Sequence, residues 1–299
     1  MSHLRRLRVE GVGRWQQLWD QFAAATGQRL HDGQALSVGG GSINTTYVWQ
    51  HPQQTLFIKF NRPERQSMFA AEANALQAIA KVQAIRVPLP LLWGSVEDAS
   101  FLILEYLPLT SSGDWWQMGA QLARLHLKGT GDRYGWPENN TIGATPQINP
   151  WSDNWGEFFC DARLRYQFDL ARRRGGHFPK AEKLLAAIPK LLNHEPTPTL
   201  VHGDLWSGNA AFCRTGEPVI FDPASYYGDR EVDLAMSELF GGFPDAFYQG
   251  YNATYPLPAA YAQRKTIYNL YHILNHFNLF GGSYAAQAQH MIDMIEQIL

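Results

Sequence analysis

A chain of 299 residues can bury one large core or two smaller lobes, and 45% hydrophobic residues against 17% charged ones exclude a disordered polymer. The 25 Lys and Arg are balanced by 27 Asp and Glu, a formal charge of −2, so no basic footprint for nucleic acid exists. No stretch approaches the ~18 uninterrupted apolar residues of a membrane span, and neither nucleic acid nor membrane is expected as a partner.

Arg5, Arg6 and Arg8 open the chain without a following apolar segment, and Cys160 and Cys213 lack metal-type or C-x-x-C spacing. Reduced thiols, no zinc and a cytoplasmic location are the expectation. Trp15, Leu18, Trp19 and Phe22 recur at i, i+3, i+4, i+7 within residues 12–25, one apolar helical face that ends before Gly27. Residues 34–49, QALSVGGGSINTTYVW, predict strand, glycine turn, strand, and a third strand follows over 55–60. No G-K-[ST] closes the glycine run and no helix follows it, so neither a Walker A loop nor a Rossmann turn fits.

Within LFIKF, period-two alternation places Lys59 on the face of Phe57 and opposite Leu56, Ile58 and Phe60. A lysine inside a sheet needs an anionic partner, and the predicted helix 68–82 offers Glu72. FLILEYL (101–107) predicts a buried strand carrying Glu105, Tyr106 and Leu107 at its end; Pro108, Ser111, Ser112 and Gly113 then punctuate the chain. Helical patterns follow over 114–127 and 152–174.

The densest chemical signal is VHGDLWSGNAAFCRTGEPVIFDP, residues 201–223. His202, Asp204 and Asn209 have the spacing H-x-D-x-x-x-x-N, a kinase catalytic-loop pattern with Gly203 in place of the usual Arg. Gly216 lies between two apolar runs and predicts a hairpin that returns Asp222 beside Asn209. Phosphoryl transfer needs one carboxylate to orient and deprotonate an attacking hydroxyl, then hard oxygen ligands for Mg²⁺. Asp204, Asn209 and Asp222 supply these in order. His202, and Asp233 on a predicted helix from 228, are candidates to support the loop. In 268–280, Leu270, Ile273, Leu274 and Phe277 form a core stripe; His272 and His276 are spaced i, i+4 on another face, but no third metal ligand accompanies them.

The order glycine hairpin, Lys59, Glu72, apolar strand, HGDLWSGN, FDP resembles the protein-kinase-like small-molecule kinases. The segments GGGSIN, LFIKFN, MFAAEANAL, LVHGDLWSGN, IFDPASYYGDREVDLAM and LYHILNHFNLFGGSY, spread over about residues 34–284, resemble the fructosamine/ketosamine kinases in particular. The resemblance implies an α+β fold of two lobes, a small antiparallel sheet lobe over 1–109 and a larger helical lobe over 110–299. It implies ATP-dependent phosphorylation, at the sugar 3-hydroxyl, of a small-molecule or protein-bound ketoamine. It also implies nucleotide contacts from Gly40, Gly41, Ser42, Lys59 and Glu72 and adenine contacts from the backbone of Glu105, Tyr106 and Leu107. Asp204 would be the base, and Asn209 and Asp222 the Mg²⁺ ligands. Trp206, two residues past Asp204, is expected in the substrate wall, where an indole face suits an ammonium beside sugar C–H groups. Ser42 stands where some members carry a redox-active cysteine, so that switch is not expected. Two alternatives remain open: a kinase for another hydroxylated amine, for which Glu157, Asp161, Asp229 and Glu231 offer acidic groups, and a non-catalytic binding module.

Overall fold

The computed structural model describes residues 12–39 and 43–298. Five antiparallel strands form the first sheet in the order β1-β2-β3-β5-β4: β1 Gln34–Val38, β2 Thr45–Gln50, β3 Thr55–Asn61, β4 Pro90–Val96 and β5 Ala99–Glu105. Alternation along β3 decides what each face meets. Leu56, Ile58 and Phe60 point to the face covered by helix α1 (Val12–Thr26), where Trp15, Leu18, Trp19 and Phe22 are buried against them. Trp49 lies against Trp15 and Trp19 with ring centroids 4.9 and 4.6 Å away, and its indole N–H donates to the Leu30 carbonyl at 3.0 Å. The opposite face carries Phe57 and Lys59 and is covered by helix α2 (Gln66–Val82), through Phe69, Leu76 and Ile79.

The strand expected over 101–107 starts two residues earlier and stops at Glu105. After Pro108 the short β6 (Leu109–Thr110) pairs with β10 (Ala210–Cys213), which pairs with β11 (Pro218–Ile220). Leu109 therefore belongs to the sheet that carries the catalytic loop. Two more antiparallel pairs, β7 (Asn140–Ile142) with β8 (Thr145–Gln147) and β9 (Thr199–Val201) with β12 (Tyr226–Gly228), flank it.

The rest of the second lobe is helical: α3 Trp115–Lys128, α4 Trp155–Phe158, α5 Tyr166–Arg173, α6 Ala181–Leu191, α7 Glu231–Leu239, α8 Asp245–Thr254, α9 Tyr261–Phe280 and α10 Tyr284–Glu296. Asp114 caps α3 by accepting the Gln117 amide at 3.0 Å. The single helix expected over 152–174 contains a wide π turn, Phe159–Arg165, between α4 and α5. That turn directs the fully buried Arg163 to the Ile148 carbonyl at 2.6 Å and to Asn149 Oδ1 at 2.7 Å. Among the described residues no helix is long and apolar enough to cross a membrane.

Helices α3 and α8 cross at backbone contact. A Cβ on Gly119 would lie 1.9 Å from the Phe247 carbonyl oxygen, and one on Gly250 would lie 2.0 Å from that of Trp116. The close crossing brings Tyr251 of α8 within 2.8 Å of His126 Nδ1 on α3, and His126 in turn reaches the catalytic loop's support. Gly119→Ala is therefore expected to lower stability by about 1–3 kcal/mol through overpacking. Gly13→Ala, where nothing lies within 4 Å of the new Cβ, should be neutral or slightly stabilising in helix α1. Urea midpoints of the two variants check the contrast.

Candidate active site

Lys59 is 5% exposed, and a buried ammonium must be neutralised locally. Its Nζ donates to Glu72 Oε1 on α2 at 2.6 Å and also to Asp222 Oδ1. Burial would depress the lysine, but Asp222 and Glu72 outweigh it and hold its pKa well above the ordinary value. Glu72 is pushed up by burial despite its lysine partner. Asp222 thus sits where the second lobe meets the first, in a left-handed backbone conformation (φ 56°) that turns the chain sharply after β11.

The catalytic loop is held from below by one carboxylate. Asp233, fully buried at the start of α7, accepts the His202 amide at 2.7 Å and the Gly203 amide at 2.8 Å. It also accepts the His126 Nε2–H at 3.1 Å. Burial alone would raise its pKa; the bond from His126, the His202 ring and the Gly203 amide together hold it below the usual carboxylate range. His202 ties the loop sideways. Its Nε2–H donates to the Phe221 carbonyl at 2.9 Å, next to Asp222, and its Nδ1 accepts the Asp204 amide at 3.3 Å. Burial lowers this ring's pKa. Gly203 replaces the usual Arg because its φ is +83° and a Cβ there would meet the Ala224 carbonyl oxygen at 2.2 Å.

Asp204 opens on a cleft of about 540 Å³ with protein packed on its other sides. Burial, then the charge of Asp222, pushes its pKa up to about 7, against the opposing hydrogen bond from Asn209. Asn209 Nδ2 donates to the Asp204 carbonyl at 2.8 Å and to Asp204 Oδ2 at 3.3 Å. That orientation turns Asn209 Oδ1 away from Asp204, and neither it nor Asp222 Oδ2 meets a partner among the described residues. Two hard oxygens on residues lining one cleft, with a lysine that can hold phosphate, suit a divalent cation and a polyphosphate.

The structure brings Lys59, Glu72, Asp204, Trp206, Asn209 and Asp222 onto one cleft. Trp206 is 38% exposed, with Phe240 edge-on at 6.3 Å, and so is no plug of the core. Gly40, Gly41 and Ser42 lie outside the described residues. Glu105, Tyr106 and Leu107 are not on this cleft's lining. The Glu105 carboxylate is taken by Arg86 at 2.5 Å and the Leu89 amide at 2.7 Å, and its own amide by the Leu89 carbonyl at 3.0 Å. Of the acidic groups weighed for a polycationic substrate, none lines the cleft. Asp229 and Glu231 line a second, smaller cavity with His194, where Tyr268, His194 and Arg264 already engage them. Sequence reasoning missed His126, Asn140, Asn275 and the cleft-facing side of His276. His126 was legible only as an apolar-face histidine of α3, and nothing local distinguishes the two asparagines. His272 is buried and held near pKa 3 by burial, as a structural histidine.

A small sheet lobe over a helical lobe, with a lysine–glutamate pair and an Asp/Asn/Asp set at their junction, defines a phosphotransferase of the protein-kinase-like class. The fructosamine kinase family model matches residues 14–298, and the chain belongs to that family. A Synechocystis protein named as a probable ketoamine kinase is 53% identical over 95% of this chain and 97% of its own. The chloroplastic protein-ribulosamine 3-kinase of Arabidopsis thaliana is 42% identical over 86% of this chain and 81% of its own. A crystal structure from Haemophilus somnus, provisionally a fructosamine-3-kinase, superposes with a TM-score of 0.89 at 32% identity, covering 95% of this chain and 98% of that one.

The raised pKa of Asp204 makes stability depend on pH. An ordinary aspartate titrates near 3.8, so between about pH 4 and 7 the folded state keeps a proton that the unfolded chain has released. The stability this group contributes is present below the unfolded pKa and is lost as pH rises through about 7. Asp204→Asn should therefore melt at a higher temperature than the wild type at pH 8, with the difference shrinking towards pH 4. Thermal unfolding of both proteins across that range tests it.

Proposed function

We infer that this protein is an ATP-dependent ketoamine kinase that phosphorylates the sugar 3-hydroxyl of ribulosamine-, erythrulosamine- or fructosamine-type acceptors. The observation that carries the reading is the family match across nearly the whole chain, supported by Lys59, Glu72, Asp204, Asn209 and Asp222 on one cleft. The similarity to a protein-ribulosamine 3-kinase supports the acceptor class. Aminoglycoside phosphotransferases share the fold, at 16% identity and a TM-score of 0.61 in one case. A polycationic acceptor, however, would find among the described residues no carboxylate on this cleft beyond Glu72, Asp204 and Asp222. Those three are engaged in the phosphotransfer machinery.

The Asp204 carboxylate, on the cleft and steadied through Oδ2 by Asn209, accepts the proton of the acceptor hydroxyl as its oxygen bonds to the transferred phosphorus and the bond to the leaving diphosphate breaks. A carboxylate with a pKa near 7 suits this task, because it is a stronger base than an ordinary aspartate yet ionised in part at neutral pH. Bound Mg²⁺ and ATP supply the phosphoryl group and neutralise its charge. Asn209 Oδ1 and Asp222 Oδ2 would hold the metal, and Lys59 would exchange Asp222 for phosphate oxygens while keeping Glu72. Trp206 offers its indole face beside Asp204 to the secondary ammonium and the sugar C–H groups, an attraction of roughly 0.5–2 kcal/mol depending on desolvation.

An ATP-consumption panel of ribulose-, erythrulose- and fructose-amines against an aminoglycoside and choline tests the reading. Turnover of at least one ketoamine and neither of the other two is expected; the reverse pattern would sink it. Asp204→Asn should lower kcat by about 10²–10⁴-fold with little change in the ATP KM. Trp206→Leu should raise the ketoamine KM while the melting temperature and ATP KM hold, since the ring is too exposed to carry the core.

A further inference from the structure

Two asparagines on the acceptor side of the cleft have amide groups whose orientation is dictated by main-chain carbonyls. Asn275, on α9, is 2% exposed and lines the cleft. Its orientation follows from a relay. Asn278 Nδ2 donates to the Gln167 main-chain carbonyl at 2.9 Å, and only an N–H can do so. The same nitrogen donates to Gln167 Oε1 at 2.7 Å, which leaves Gln167 Nε2 to face Asn275 Oδ1 at 3.4 Å. Flipping Asn275 would set two N–H groups against each other. Its Nδ2 is therefore turned away from Gln167, meets no partner among the described residues and is not among the polar atoms sealed in the interior. An almost completely buried side chain with an unpartnered donor at a cleft is a group held for a ligand.

Asn140, on β7, repeats the logic from another wall. Its Nδ2 donates to the Ser225 carbonyl at 2.8 Å, while its Oδ1 accepts Gln147 Nε2 at 2.9 Å and Asn149 Nδ2 at 2.8 Å. Gln147 and Asn149 are themselves oriented by the Ala224 and Glu138 carbonyls. Both lone pairs and one N–H of Asn140 are used, and one N–H is left over.

We propose that Asn275 Nδ2, seconded by the spare N–H of Asn140, donates to a hydroxyl oxygen of the acceptor's sugar chain other than the one phosphorylated, and so selects polyhydroxylated acceptors. The proposal rests on the ketoamine-kinase reading. The acceptor, rather than ATP, is the partner because α9 is continuous with the Trp206 wall: Phe240 lies 6.3 Å from Trp206 and 4.8 Å from His276, the residue after Asn275. Lys59 and Glu72, by contrast, belong to the first lobe. Fixed donors match hydroxyl oxygens, which accept, and they leave the ammonium to the aromatic faces.

The test compares wild type and Asn275→Ala on ribulosamine and on its 4-deoxy and 5-deoxy analogues. The expected result is a roughly 2–12-fold rise in the ribulosamine KM, the cost of one neutral hydrogen bond, with the ATP KM unchanged. The effect of the mutation should vanish on the analogue that lacks the hydroxyl held. Equal losses on all three acceptors, or a raised ATP KM, would overturn the proposal while leaving the kinase reading intact. A wild type that phosphorylates none of the three, nor the erythrulose- and fructose-amines of the panel above, would remove the kinase reading and this proposal together. Asn275→Asp keeps the Gln167 contact and the side-chain volume, and should show the same dependence on the analogue if the alanine variant fails to fold.

Discussion

A single buried ammonium organises this molecule. Lys59 leaves water when β3 is covered by α2, and an ammonium so placed is costly unless anions come to it. One anion, Glu72, arrives on the covering helix itself; the other, Asp222, arrives from the far end of a hairpin 163 residues along the chain. The two lobes are joined where the charge is neutralised. The same contact that satisfies the lysine also fixes the place where phosphate oxygens and a cation can replace a carboxylate.

Around that contact the catalytic loop is over-determined. Asp233 takes two loop amides, and His202 ties the loop to the carbonyl preceding Asp222. Behind Asp233 stand His126 and Tyr251, on two helices that touch at glycines. Asp233, held below its usual pKa, and Asp204, held above it, meet at the same loop, and burial acts on both. The difference is donors. Asp233 accepts three N–H groups, whereas Asp204 has Asn209 and faces the charge of Asp222. The raised pKa of Asp204 is thereby kept at the expense of stability above neutral pH.

Much of this was legible beforehand. The α1 stripe, the third-strand lysine and the 210–221 hairpin follow from short-range pattern, because each depends on periodicity or on a spacing of a few residues; Glu72 and Asp233 were legible only as candidates, since their contacts span 13 and about 30 residues. The π turn was not legible: nothing in FCDARLR breaks a helical period, and the distortion arises because Arg163 must reach carbonyls and rings packed on the lobe's interior. The end of β5 was not legible either: Glu105 still pairs with Leu56 of β3, and the strand stops there rather than at Leu107.

The sequence by itself determined the phosphotransfer chemistry, for its groups lie in a motif whose backbone geometry is local: a loop of eight residues and a hairpin that closes on it. Only the tertiary structure decided the acceptor side. Asn140 and Asn275 lie 135 positions apart in number, and asparagine is an ordinary surface residue in both contexts. What makes them donors is the set of main-chain carbonyls that packing brings against their neighbours. Hydrogen-bond direction inside a folded core is a property of three-dimensional neighbours, and no spacing along the chain encodes it.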